Sequence, residues 1–195
     1  MANELKLSKD IILDAAEKLI RRYGSEKTSV IDIAKELHVS HGMIYRYFPS
    51  KSSLQEDVTE RWLNRALVSL KTIAEETKGT AIECLTLWMD TLIKFKRTNS
   101  ISDPELFMMY TKVTLESTEM ISKHMNELIM QISNIVKYGM NYGEFKTGEP
   151  EAIGKSIFIA TSRFHHPAHS YEWLADNIDE DFQGVWKLIL SGILE

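Results

Sequence analysis

Residues 28–51 read TSVIDIAKELHVSHGMIYRYFPSK, and their spacing divides them into two short helices joined by a tight turn. Ser29 and Asp32 form an S-x-x-D capping box, in which each side chain satisfies an orphan backbone donor of the other and so starts a helix. Ile33, Ala34 and Leu37 form its inner face at helical spacing, and the element ends near His38. Val39-Ser40 opens the next helix with Ser40 as its N-cap. Ile44 and Phe48, four apart, face inward; His41 and Tyr45 share an outer face, as do Gly42 and Arg46. Pro49 stops the helix, because proline disfavours helical geometry in the residue before it.

The same stretch gathers hydrogen-bond donors and cations. His41, Tyr45, Arg46, Tyr47 and Lys51 all suit phosphate oxygens. Two short helices with a third packed against them make a helix-turn-helix, whose second helix fits the major groove of duplex DNA. The N-terminus of that helix carries partial positive charge and free N–H groups, which favour phosphate. Gly42 has no side chain to hold a polynucleotide backbone away.

Helical periodicity extends over nearly the whole chain. Ile12, Ala15, Ala16, Leu19, Ile20 and Tyr23 form a core-facing stripe, capped by Ser8 and ended by Gly24. A long fourth helix runs from about Ser50 toward Lys78, and residues 78–80 break it. Ile82, Leu85, Met89 and Leu92 mark a fifth helix. Asp103-Pro104 starts a sixth with proline at its first position, carrying Leu106, Met109, Tyr110 and Val113. Ile121, Met125, Leu128, Ile132 and Ile135 form a seventh, ended near Gly143. Glu149-Pro150 starts an eighth that reaches about Arg163, and Phe182, Val185, Trp186, Ile189, Leu190 and Ile193 mark a ninth. The expected fold is all-α, about nine helices, with a helix-turn-helix domain over residues 1–49 and a helical ligand-binding and dimerisation domain over residues 50–195.

Composition narrows the function. The chain has 195 residues, 44% hydrophobic and 26% charged, enough to bury a sizeable core. Its one cysteine, Cys84, excludes an internal disulfide and any multi-cysteine metal site. The first residues, MANELKLSKD, carry acids where a signal peptide is apolar, and no apolar run reaches the ~18 residues of a membrane span, so a soluble, cytoplasmic protein is expected. Net charge is -5, unevenly spread. Residues 1–55 hold nine Lys/Arg against seven Asp/Glu, and the rest fourteen against twenty-one, so a polyanion meets the N-terminal part first.

Residues 24–58 resemble the DNA-binding signature of TetR-family bacterial transcriptional regulators. The matching positions are Gly24, Thr28-Ser29, Ile33-Ala34, Val39-Ser40, Gly42, Tyr45, Tyr47-Phe48, Lys51 and Leu54. One departure is His38, where the family usually has glycine in the turn; histidine accepts a left-handed backbone better than a β-branched residue does. The resemblance implies roles residue by residue. Ser29, with Thr28 beside it, is similar to a phosphate-facing cap. Ser40, His41, Gly42 and Met43 stand at the groove-entering end, His41 for a base edge and Met43 for a thymine methyl. Tyr45, Arg46 and Tyr47 resemble backbone clamps, and Lys51 a phosphate contact.

The resemblance also implies a ligand cavity, a homodimer and a palindromic double-stranded operator. Trp88, Met89, Phe95, Met109, Tyr110 and Met125 are candidate pocket residues for a small-molecule effector, since methionine and aromatics line adaptable apolar pockets. Ile157 and Phe158, with Val185, Trp186, Ile189 and Ile193, are candidates for the dimer interface, two-fold symmetry matching a palindromic site. A ligand-released repressor is the expected function, with the fourth helix as lever. The rival is a helical ligand-binding or protein-interaction module without sequence-specific DNA binding.

Other constellations argue against catalysis. Five residues separate Gly148 from the Gly154-Lys155-Ser156 run where a phosphate loop needs four, and no strand precedes it. His165, His166 and His169 flank Pro167 as a polar loop, with metal ligation as the minor reading. H-E-x-x-H and G-x-S-x-G are both absent. No enzyme activity, cofactor or metal is expected.

Overall fold

The computed structural model describes residues 7–76, 79–116 and 118–194, with the backbone alone of Thr118. Among these residues are nine α-helices, two short 3-10 helices and no strand, with one isolated bridge between Phe145 and Leu194. The helices are α1 (Lys9–Tyr23), α2 (Val30–Glu36), α3 (His41–Tyr45), α4 (Lys51–Glu76), α5 (Ala81–Ser102), α6 (Pro104–Glu116), α7 (Thr118–Asn141), α8 (Pro150–Ala160) and α9 (Ile178–Ile193). The 3-10 helices are Ser162–Phe164 and Pro167–Glu172. Of the break expected at 78–80, Lys78 lies outside the described residues; Gly79 follows with φ 100°. No helix among the described residues is long and apolar enough to cross a membrane.

The chain packs as two compact units, 1–62 with 102–120, and 63–101 with 121–195. This partition runs differently from a division after residue 49. The first part of α4 and all of α6 pack with α1–α3, because their apolar faces complete the N-terminal core.

In the first unit, the α1 stripe is buried as its spacing requires, with Ile12 and Ala16 fully enclosed. Ser8 caps α1 by accepting the Ile11 N–H at 3.3 Å. Gly24 ends it at φ 84° and ψ 155°, an extended positive-φ conformation rather than the left-handed helical one. Ile33, Ala34, Ile44 and Phe48 join the core, as do Leu54, Val58 and Trp62 of α4. Trp62 packs its ring 5.2 Å from Tyr110 and 6.3 Å from Phe107 of α6. Polar ties fix the helices around this core. Arg21 of α1 donates to Asp103 at 3.0 Å, and Lys112 of α6 pairs with Glu26.

In the second unit, α5, α7, α8 and α9 surround one apolar cluster that includes Trp88, Leu92, Leu128, Ile132, Phe158 and Trp186. Thr80 and Glu83 cap α5 reciprocally: Thr80 N–H donates to the Glu83 carboxylate at 2.9 Å, and Glu83 N–H to the Thr80 hydroxyl at 3.2 Å. Gly154 sits inside α8, where a Cβ would stand 2.4 Å from Ser133 Oγ and 3.0 Å from its backbone nitrogen. The glycine of the Gly-Lys-Ser run is therefore there to let α7 and α8 approach closely, in the middle of a helix.

Candidate nucleic-acid interface

The capping box that starts α2 is complete. Ser29 N–H donates to Asp32 at 3.1 Å, and Asp32 N–H donates to the Ser29 hydroxyl at 3.2 Å. The Ser29 hydroxyl also donates to the Asp32 carboxylate, and these bonds hold that carboxyl below its ordinary range. At the other end of α2, His38 adopts φ 55°. His38 N–H reaches the Lys35 carbonyl at 3.1 Å and Val39 N–H the Ala34 carbonyl at 2.9 Å, the paired bonds of a Schellman stop. The turn thus takes the left-handed geometry usual for glycine, with histidine in its place.

That turn launches α3 at Ser40. Ser40 has the extended backbone of an N-cap, but its side chain makes no cap hydrogen bond. Ile44 and Phe48 anchor the segment in the core, which leaves its opposite face to solvent. His41, Gly42, Met43, Tyr45 and Arg46 are all exposed there. The His41 and Tyr45 rings meet edge to face with centroids 6.3 Å apart, one turn apart on the same side. A Cβ on Gly42 would meet only the Ser40 hydroxyl, at 4.0 Å, and its φ is not positive. Nothing within the chain requires glycine at this position. Leu7, Met43, Arg46 and Tyr47 bound a cleft of about 470 Å³ beside α3.

Four of the expected contact residues have partners inside the chain. Thr28 is buried, with its hydroxyl donating to the Gly24 carbonyl at 2.8 Å and its N–H to the same oxygen. It therefore departs from its expected place facing phosphate: it fastens the loop between α1 and α2. Ser29 is engaged with Asp32 as described. Tyr47 donates its hydroxyl to the Leu7 carbonyl at 2.7 Å, and Lys51 donates to the Glu26 carbonyl at 2.9 Å. The Lys51 ammonium keeps two further N–H donors and its charge.

The expected pocket residues divide between the two units. Met109 and Tyr110 lie in the first, where Tyr110 packs on Trp62 and burial raises its hydroxyl pKa. Trp88, Met89, Phe95 and Met125 lie in the second, Trp88 and Met89 fully buried and the other two against the same cluster. Trp88 Nε1 donates to Gln131 at 3.0 Å. Lys96, His124 and Gln131 are buried in this unit as well. Sequence reasoning passed over Lys96 and Gln131, since a single lysine or glutamine inside an amphipathic helix reads as surface, and met His124 only as an incomplete H-E-x-x-H match.

The expected dimer residues divide too. Ile157, Phe158 and Trp186 turn into the core of their own unit, so they correct the expectation: a helical stripe has the same period whether it meets its own chain or another. Val185, Ile189 and Ile193 are half-buried. Ile153, Ile189, Ile193 and Leu188 bound an apolar groove of about 350 Å³ between α8 and α9. Leu188 is 74% exposed and Ile159 56%.

The three histidines do not converge. His165 is buried with Nε2 3.3 Å from both Thr161 Oγ1 and the Phe158 carbonyl; burial lowers its pKa to about 3. His166 accepts from Ala168 N–H, and His169 pairs with Glu172 at 3.0 Å. No group of three possible metal ligands occurs among the described residues.

With this geometry in hand, comparison with known proteins is specific. Residues 12–58 match the family model of bacterial regulatory proteins of the tetR family, and residues 81–186 that of the tetracyclin repressor-like C-terminal domain. An uncharacterized HTH-type transcriptional regulator, YuxN of Bacillus subtilis, is 27% identical over 130 residues, which cover 65% of this chain and 43% of YuxN. SmeT, the repressor of the Stenotrophomonas maltophilia multidrug efflux pump SmeDEF, has the same fold at TM-score 0.69 and 19% identity, over 97% of this chain and 92% of SmeT. A regulator from Saccharomonospora viridis, solved in complex with choline, does so at TM-score 0.65 and 20% identity, over 96% of this chain and 97% of its own. The matched C-terminal model alone spans more than half of the sequence, and the helix-turn-helix falls inside the N-terminal one: the chain belongs to the tetR family of bacterial regulatory proteins and is a DNA-binding transcriptional regulator.

Proposed function

We propose that this regulator is a homodimeric repressor that reads a palindromic operator with α3 and is released by a small molecule held in its second unit. The exposed face of α3 carries the reading. Gly42 offers open space where the fold would accept a side chain, which favours close approach by something outside the chain. His41 and Met43 are the base-edge candidates beside it, while Tyr45 and Arg46 are free to grip phosphates. Ser40 stands exposed at the same end, and Tyr47 and Lys51 are secondary contacts that also brace the head.

The apolar groove between α8 and α9 supports pairing of two copies, with Leu188, Ile189 and Ile193 as its core. A two-fold pair matches half-sites about one helical turn, or a multiple of it, apart. SmeT is a repressor and the Saccharomonospora viridis regulator holds choline, which favours ligand-controlled repression here. The ligand shifts the equilibrium only by binding one state more tightly than the other. Helix α4, one continuous helix with residues in both units, is the lever in this reading. The site of action is the cytoplasm, where the chromosome lies.

Selection of bound fragments from random duplex DNA tests it. The expected product is a palindrome bound by two chains, with affinity that falls steeply with salt. Equal binding of all duplexes, or none at low salt, favours instead a helical module that docks a protein partner.

A further inference from the structure

The chain's net charge is -5, yet one stretch of its first unit keeps exposed cations that the fold does not pair. The acids between residues 18 and 38 all have partners. Glu26 pairs with Lys112 of α6, the Ser29 hydroxyl and N–H hold Asp32, and Glu36 pairs with Lys18 at 2.6 Å. Arg21 is likewise engaged, with Glu17 and Asp103. Arg22, Lys27 and Lys35 remain exposed, with no ion-pair partner among the described residues. Arg22 and Lys35 act on Glu36 and Asp32 only at longer range.

The fold gathers these cations along one cleft. Helices α1 and α2 bound a space of about 580 Å³, lined by Tyr23, Lys27, Asp32, Lys35, Glu36 and His38. Arg22 stands beside it, its guanidinium 5.1 Å from the centre of the half-exposed Tyr23 ring. Such a lining is mostly polar, unlike the apolar pockets that hold small molecules. Both ends of the cleft meet the reading head. Lys27 directly precedes Thr28 and Ser29 at the start of α2, and His38 stands two residues before Ser40, which opens α3. Asp32 in its wall also feels the charge of Lys51, at the start of α4. Helix α2 is seven residues long, roughly 10 Å, and a DNA strand advances about 3.4 Å of axis per phosphate. The cleft is therefore long enough to face about three phosphates of one strand.

We propose that the cleft between α1 and α2 is a second phosphate-binding strip for duplex DNA, in which Lys27 and Lys35 each hold a phosphodiester of one strand while α3 lies in the groove. Each ammonium brings a compact charge and three donors, which suit a phosphate oxygen whatever base is attached. The two lysines accordingly set position and affinity and carry no base preference. The inference rests on DNA binding by the helix-turn-helix and is independent of release by a ligand.

The test is fluorescence anisotropy of the full chain across a salt series, on the duplex that the wild type selects and on a random duplex. The double variant Lys27→Ala/Lys35→Ala should reduce the slope of log affinity against log salt by about 2 on both, with the preference between them unchanged. The pair Lys94→Ala/Lys137→Ala removes the same charge from exposed positions of α5 and α7 and should leave the slope as it was. Ethylation of single phosphates reports the contact itself: about two phosphates whose modification weakens wild-type binding should become indifferent in the Lys27/Lys35 variant. Lys27→Gln/Lys35→Gln repeats the measurement should the alanines lower the melting temperature. A slope change below about 1, an equal change in the Lys94/Lys137 pair, or an unchanged ethylation pattern would overturn the proposal. An unchanged slope with binding of a poly-glutamate peptide that the Lys27/Lys35 variant loses would give the cleft to an acidic protein partner instead. If the wild type prefers no duplex, the palindrome reading fails, and the slope on random DNA still decides the strip.

Discussion

Arg61 of α4 holds the buried carboxylate of Glu17 in α1 through two nitrogens, Nε at 2.8 Å and Nη2 at 2.6 Å. Arg21 adds a third contact at 3.0 Å, and Arg61 keeps Asp14 at 2.8 Å. Removing one member of a buried ion pair leaves the other desolvated without compensation. Glu17→Ala should therefore cost about 3 kcal/mol of stability. Urea denaturation measures it, and a loss below about 1 kcal/mol would show that the partners find water or Asp14 instead.

Gly42→Ala separates stability from function. The fold has room for the methyl group, and alanine in a helix is worth roughly 0.5–1 kcal/mol more than glycine. The variant should melt slightly higher and yet bind operator DNA at least about tenfold more weakly, a loss of about 1.4 kcal/mol. Undiminished DNA affinity would remove this position from the interface.

Arg46 and Lys51 should differ in their salt response. Arg46 is exposed beside the cleft at α3, so Arg46→Ala should reduce the slope of log affinity against log salt by about 1 for every duplex tested. Lys51 already donates to the Glu26 carbonyl, so Lys51→Ala should also lower the melting temperature. Fluorescence anisotropy across a salt series gives both slopes. A melting temperature unchanged by Lys51→Ala would deny it the bracing role.

His38→Gly should stabilise the chain. The left-handed backbone at φ 55° costs a non-glycine residue about 1–2 kcal/mol, partly offset by the greater freedom of glycine in the unfolded chain. A net gain of about 0.5–1 kcal/mol is expected by urea denaturation. Destabilisation would mean that the imidazole contributes more than its backbone strain costs.

Burial lowers the Lys96 pKa from 10.5 to about 7, so the unfolded chain binds the extra proton between these values. Stability should consequently rise from about pH 7 toward pH 10.5, by up to about 5 kcal/mol, with the full penalty present below pH 7. His124 and His165, lowered from 6.5 to about 3 chiefly by burial, act in the opposite range: both stay neutral in the fold, so stability falls as pH drops from about 6.5 toward 3. Denaturation at several pH values checks the shape. Lys96→Met should be more stable at pH 7 and lose the alkaline rise while keeping the acid decline.

Most of the helical order was legible from local signals. Ser8, the Ser29–Asp32 box and Asp103-Pro104 announce helix starts because their chemistry acts within one turn of chain. The Ile33–Ala34 and Ile44–Phe48 pairs give the inner faces, and with them the outward set on α3. Long-range packing was not legible. Nothing near Thr28 reveals that its hydroxyl turns back to Gly24, and nothing near Ile157 or Trp186 distinguishes their own core from a partner's surface. Leu188 is the outward apolar residue of α9, one position off the stripe. Met109 and Tyr110 joined Trp62 because α6 packs with the N-terminal helices, a choice no single-helix pattern encodes.

The ties Thr28–Gly24, Tyr47–Leu7 and Lys51–Glu26 have a thermodynamic corollary. A reading head already stitched together in the free chain has little internal motion left to surrender upon meeting a duplex. Its association should look like the docking of two preformed bodies, with a heat-capacity change set by contact area alone and no added contribution from coupled folding.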